Sequence, residues 1–327
     1  MKSLEGKVAV VAGATRGAGR GIARMLGEAG ATVYCTGRSS RGAPRTHTHH
    51  YANRPETIEE TAEMVDAAGG RGIAVRVDHS EGPEVVRLFK RVAREAKRLD
   101  VLVNVLTGSP AESWGPFWKQ SVEKGRAQVE GWVWPHVLTC RHAVPLMVKQ
   151  KSGLVVEIVE QDTVGYHGEF FFDLFETCLK RVAYALAEEL APHGVSAVAL
   201  TPGFMRTEAI LEQFGATEEN WPEVAETNPQ ARGYGFAGSE TPCFVGRAVA
   251  ALASDPEVLS KSGGVYSSWA LSDEYGFADV DGRRPHFGRY GAEHFPQFFK
   301  KTPASGALWE ITRTPARGAV KGRRAKA

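Results

Sequence analysis

Short unbroken apolar runs alternate along this chain with longer stretches whose apolar residues recur every three or four positions. The runs Lys7–Ala12, Ala31–Thr36, Gly72–Val77, Asp100–Val105, Gly153–Val159, Val195–Leu200 and Gly264–Ser268 have the length and apolar character of buried strands. The stretches between them carry helical periodicity: Arg16–Ala29, Pro55–Ala68, Pro83–Arg98, about Phe117 to Lys149, Glu169–Ala191 and Pro242–Ala253. Pro55 falls in the first turn of its helix, where a missing N–H is tolerated, and Gly69-Gly70 ends it. This succession of βα units predicts an α/β protein, a doubly wound parallel sheet with helices on both faces.

Three stretches break the alternation. Ser39–Arg54 is a polar insert after the second strand, and Phe204–Thr241 reads as a long irregular loop of the kind that serves as a lid. Ser272–Ala327 is aromatic and then basic; from Arg313 onward it has no acid, which predicts a disordered tail. The expected organisation is a nucleotide-binding domain over 1–271, with a substrate lid over 204–241, and an extension over 272–327.

Composition adds exclusions. With 43% hydrophobic and 24% charged residues the chain is an ordinary globular protein, and a net charge of +2 gives no reason to expect a nucleic-acid partner. No apolar run approaches the roughly 18 residues of a membrane span, and the first residues resemble no signal peptide, so a cytoplasmic location is expected. Cys35, Cys140, Cys178 and Cys243 form no CxxC pair and read as reduced thiols, mostly core filler. His47, His49 and His50 lie close together but lack a carboxylate or cysteine at useful spacing, so a solvated loop is expected there and no metal.

The first βα junction carries candidate chemistry. Gly13-Ala14-Thr15-Arg16-Gly17-Ala18-Gly19 has the spacing GxxxGxG where a strand gives way to a helix. Glycines there let the backbone approach a pyrophosphate, and the helix N-terminus offers free N–H groups and a positive dipole end. The pattern is that of a Rossmann-type dinucleotide site. The second strand ends Cys35-Thr36-Gly37-Arg38 with no acid to hold a ribose hydroxyl. Arg38 is placed to meet a 2′-phosphate and Arg16 to reach it, so NADP(H) is expected over NAD(H).

These residues resemble the short-chain dehydrogenase/reductase family. Gly13, Gly17 and Gly19 fit its glycine motif. Asp78 matches the acid the family places against the adenine, and Asn104 in Leu99–Asn104 fits its stabilising asparagine. Pro202-Gly203 matches the turn that lines the nicotinamide pocket. The landmarks run in the family's order from about Lys7 to Leu271. The resemblance implies a homodimer or homotetramer packed through the two long helices flanking the fifth strand.

It also implies a Tyr-x-x-x-Lys pair on the helix after that strand, and the chain has none. The tyrosine position falls on Phe172 and the lysine position on Glu176. The family's serine falls on Val159 or Glu160, and its helix asparagine near His136. Phe172 exchanges no proton, and Glu176 reverses the charge that would depress a tyrosine pKa. Carbonyl reduction by the family's usual route is therefore not expected. In one reading Glu160, Glu176 and His136 form a new acid/base site for isomerisation, elimination or cyclisation of a small molecule, with Asp162, Tyr166 and His167 as reserve donors. In a second the chain remains an NADPH-dependent oxidoreductase with a substitute proton donor, Tyr166 or a glutamic acid. In a third Glu176 pairs with Lys180 as an ordinary helix salt bridge, and the chain is a catalytically silent nucleotide-binding or scaffold protein. Trp221 and Phe214 in the lid favour a small-molecule pocket. Trp114, Phe117, Trp118, Trp132 and Trp134 line that pocket in one reading and serve as core or subunit contact in the other.

Overall fold

The computed structural model describes residues 2–42, 54–107, 115–160, 162, 166 and 168–296. The histidines at 47, 49 and 50, His167, Trp114 and the basic tail lie outside these residues.

Seven parallel strands form one sheet in the order β3-β2-β1-β4-β5-β6-β7. They are β1 Val8–Ala12, β2 Thr32–Gly37, β3 Arg71–Arg76, β4 Val101–Asn104, β5 Gly153–Ile158, β6 Val195–Thr201 and β7 Val265–Ser267. The helices are α1 Gly17–Glu28, α2 Ile58–Ala67, α3 Gly82–Glu95, α4 Val122–Gln150, α5 Phe170–Leu190, α6 Glu208–Phe214, α7 Trp221–Thr227, α8 Pro229–Gly233, α9 Pro242–Ser254, α10 Ser268–Tyr275 and α11 Phe287–His294. Alternate residues of β1 feed opposite cores. Ala9 and Val11 join Ile22 and Leu26 of α1 and Val245 and Val249 of α9. Val8 and Val10 join Leu88 of α3, Met147 of α4 and Leu190 of α5. The strand order reverses between β1 and β4, which opens a crevice at the carboxyl ends of the strands.

The expected sheet and helices are present, with three corrections. Pro55 lies outside α2, because Thr57 caps that helix in a capping box with Glu60. The long helical stretch is broken early: Phe117–Lys119 is a separate 3-10 turn, and Ser121 caps α4. The segment 204–241 is not an irregular loop. It holds α6, α7 and α8 around a small core of Phe214, Trp221, Ala225 and Phe236.

The C-terminal extension clamps this segment. Arg206, fully buried, bonds Asp281 at 2.9 Å and stacks over Trp221 at 4.2 Å, while Arg283 covers the same ring at 4.3 Å. Asp279 accepts the Thr241 hydroxyl at 2.5 Å. No helix among the described residues is long and apolar enough to cross a membrane.

Candidate active site

The nucleotide end begins where β1 enters the glycine loop. Gly13 (φ +93°) and Gly17 (φ +52°) hold left-handed backbone, and a Cβ on Gly13 would fall 2.2 Å from the Val105 carbonyl oxygen. The loop thus lies flat against the exit of β4, leaving a cavity of about 280 Å³ lined by Thr15, Arg16, Gly17, Arg38, Asp78 and Leu106, among others. Arg38 is half-buried on this wall and makes no hydrogen bond or ion pair with any described residue. Arg16 is engaged: its Nε donates to Glu56 at 3.2 Å, and Glu56 also accepts from Arg54 at 2.6 Å. Burial pushes the Glu56 carboxyl up, but the Arg54 hydrogen bonds, its own backbone amide and the charges of Arg54 and Arg16 together hold the group below its ordinary range. Asp78 accepts from the Ser80 hydroxyl at 2.6 Å. Gly19 is buried within α1 and Asn104 is sealed at the end of β4, so neither lines the cavity.

Behind this cavity lies a polar cluster that pattern reading missed. Glu157 stands opposite Asn104 in the β4–β5 register and is fully buried. It accepts from Asn104 Nδ2 at 2.8 Å and from Cys140 Sγ at 3.2 Å. His136 Nδ1 lies 2.5 Å from Glu157 Oε2, and its Nε2 donates to the Leu106 carbonyl at 2.9 Å. That carbonyl only accepts, so Nε2 carries a proton. His136 therefore belongs to this cluster and not to the Glu160–Glu176 group: α4 turns it inward beneath the cavity floor. On α4, Trp132 faces α5, stacked on Phe175 at 4.4 Å. The available signal was a lone acid in the otherwise apolar run Gly153–Ile158. Nearby His79 bridges Thr36 and Thr139 at 2.8 Å each, and burial pulls its pKa down to about 3.

The candidate acid/base residues are built on β5 and α5. Glu169 caps α5, accepting from the amides of Phe171 and Phe172. Spacings of four place Phe172, Glu176 and Lys180 along one stripe of the helix. Glu176 and Lys180 are 1% and 2% exposed. Burial raises the Glu176 pKa, with the neighbouring Glu160 charge adding to it. Burial lowers that of Lys180, against the pull of Glu176. The Glu160 amide donates to Glu176 Oε2 at 2.7 Å. Glu176 and Lys180 are thus both enclosed, each within reach of the other's charge.

Glu160 is exposed to a second cavity of about 330 Å³, shared with Asp162, Pro202, Gly203, Phe204, Trp269 and Phe287. Tyr166 is 62% exposed and not part of that wall. Phe214 and Trp221 pack inside the lid, and Phe117, Trp118 and Trp134 face outward, so these aromatics do not line the pocket either. Trp269 and Phe287 do, and both come from the C-terminal region. Thr207, at the head of α6, lines both cavities.

Among known proteins, residues 7–217 match the family model described as short chain dehydrogenase. Dehydrogenase/reductase SDR family member 1 of Mus musculus is 35% identical over 293 residues, covering 86% of this chain and 85% of that protein. The protein of the same name from Homo sapiens is 34% identical with the same coverage. A short chain dehydrogenase structure from Mycobacterium thermoresistibile superposes with a TM-score of 0.68 at 19% identity, covering 87% of this chain and 92% of the other. One from Mycobacterium paratuberculosis, bound to NAD, gives 0.63 at 19%, covering 81% and 97%. At that identity the likeness speaks for the fold.

Proposed function

Because the chain belongs to the short chain dehydrogenase family, we propose that it binds NADP(H) and transforms a small organic molecule by acid/base chemistry at Glu160 and Glu176. The observation that carries this reading is the wall shared at Thr207. A ligand lying along the first cavity from Arg38 reaches the Pro202-Gly203 turn and the carboxylates beyond it.

The residues fit the nucleotide. The glycine loop offers its cradle, Arg38 a cation with no ion-pair partner among the described residues for a 2′-phosphate, and Asp78 an acceptor for the adenine. When bound, the nicotinamide would supply hydride exchange. The protein's own part is protonic. Glu160 faces the cavity as the base, and Glu176, kept protonated by burial, is the acid behind it. A protonated Glu176 also favours the second reading, an oxidoreductase in which a glutamic acid replaces the missing tyrosine. The family reading carries a homodimer or homotetramer with it, and the sequence reading a cytoplasmic location. Exposed Phe117, Trp118, Phe170 and Leu174 at the head of α4 and α5 support the former.

Titration with NADPH, NADP⁺ and NADH, followed by energy transfer from the seven tryptophans to the nicotinamide, tests the cofactor half. Micromolar NADPH binding with much weaker NADH is the expected result, and no binding to any of the three would sink it. Once a substrate is in hand, Glu160→Gln and Glu176→Gln should each abolish turnover. Full activity in both variants would remove the acid/base assignment, and deuteride transfer from labelled NADPH to product would select the oxidoreductase reading. Failure to turn over any substrate while still binding NADPH would leave the silent nucleotide-binding protein.

A further inference from the structure

Resting on the reading that the first cavity takes a nicotinamide dinucleotide, we propose that Glu208 is a built-in occupant of the phosphate seat, so that the lid and the nucleotide compete for the same backbone amide. Helix α1 starts without a side-chain cap of its own at Arg16. Its first amide, Gly17 N–H, donates instead to Glu208 Oε2 at 2.9 Å, from a residue 191 positions away at the head of the lid. Glu208 Oε1 lies 3.6 Å from Arg20, and a Cβ on Gly17 would touch the Thr207 methyl at 3.4 Å. One turn further along α6, on the same face, Glu212 bonds Arg54 at 2.5 Å, and Arg54 in turn holds Glu56. The lid helix is moored across the cavity by two carboxylates, one of which sits in the glycine loop itself.

The head of α1 attracts an anion because its first amides have no acceptor within the helix and the helix dipole is positive there. A pyrophosphate entering that seat brings two negative charges beside the Glu208 carboxylate and needs the amide that Glu208 holds. Both do not fit without repulsion in a partly buried site. Nucleotide binding therefore displaces Glu208, frees the first turn of α6 and shifts the wall that Thr207 shares with the substrate cavity. Affinity for the dinucleotide is then weaker than a bare glycine loop would give, and lid position is linked to occupancy of the first cavity.

Isothermal titration of the full-length protein with NADPH tests this, using the near-isosteric Glu208→Gln and, at the second mooring, Glu212→Gln. Glu208→Gln should tighten NADPH about tenfold, the difference between a charged and a neutral hydrogen bond. Glu212→Gln should tighten it less. Glu208→Ala should act in the same direction as Glu208→Gln, and hydrogen exchange of the α6 amides should be faster in the nucleotide-free variants than in the parent. If the parent binds NADPH and both Glu208 variants bind it equally or more weakly, Glu208 is only a helix cap and the competition is refuted, while the cofactor reading stands. If neither parent nor variants bind any nicotinamide dinucleotide, both fail.

Discussion

The proposed nucleotide end and the proposed chemistry end of this site rest on β1–α1 and β5–α5 of one sheet, with β4 between the two strands, yet they handle charge in opposite ways. At the nucleotide end the part-buried Arg16, Arg20 and Arg54 meet buried Glu56 and the more exposed Glu60, Glu208 and Glu212, and among the described residues Arg38 has no ion-pair partner. Such charges exchange readily for those of a ligand. At the chemistry end Glu176 and Lys180 are sealed against the sheet, where each shifts its pKa and neither is free to trade partners. The first arrangement suits reversible binding of a phosphate ester. The second suits holding a proton in place.

The sharpest way to break this contrast is to restore the family's lysine. Glu176→Lys would set a second cation beside buried Lys180 in place of a carboxyl. The expected loss is about 3–5 kcal/mol in urea unfolding, and adding Lys180→Met should recover much of it. A loss near zero would mean that the pair is not enclosed in solution. At the other end, Arg38→Gln should leave stability unchanged and weaken NADPH by about 1.5–3 kcal/mol, with NADH unaffected. Equal weakening of both nucleotides would remove Arg38 from the 2′-phosphate.

Acid and alkali should separate the two ends. Glu56 is held below its ordinary carboxylate range, so its contribution is present above that range and is lost as pH falls through its folded-state pKa. Glu176 is shifted the other way, and so is Glu240 behind Gly203, which burial pushes up to about 8. Between the ordinary value of 4.5 and about 8 the folded chain keeps a proton on Glu240 that the unfolded chain has released, so stability declines as pH rises through that window. The slope per group is at most about 1.4 kcal/mol per pH unit. Denaturation midpoints from pH 5 to 8 should therefore flatten in Glu240→Gln, whereas Glu56→Gln should change only the acid limb. A wild-type midpoint that climbs steadily from pH 5 to 8 would contradict the assignment.

The sheet was legible because burial on both faces writes its strands as unbroken apolar runs, and the glycine loop because left-handed backbone at Gly13 and Gly17 restricts residue choice there. The helix stripe shared by Phe172 and Glu176 could be read by spacing alone, since a helix fixes which residues four apart share a face. What they touch could not. Glu157 and His136 meet because β5 and α4 converge from 21 residues apart, and no local pattern encodes that meeting. The lid was misread for a related reason: α6, α7 and α8 are each seven residues or fewer, too short for periodicity to register, and they hold together through Arg206 and the C-terminal extension.

The smallest test concerns a signal of the nucleotide end that lies in the sequence and is easily passed over. Thr57-x-x-Glu60 is a capping box, in which Thr57 Oγ1 accepts the Glu60 amide at 3.3 Å and Glu60 returns a bond to the Thr57 amide at 2.9 Å. Glu60 also binds Arg20 of α1 at 2.9 Å, so the cap ties α2 to the helix whose head forms the phosphate seat. Thr57→Ala should cost about 1 kcal/mol of stability, as loss of an N-cap usually does. NADPH affinity should hold within about twofold, because the amides of α1 and the guanidinium of Arg38 are untouched. A larger fall in affinity than in stability would mean that α2 positions the glycine loop through Glu60 and Arg20, and that the nucleotide end is less tolerant of local change than its exchangeable ion pairs imply.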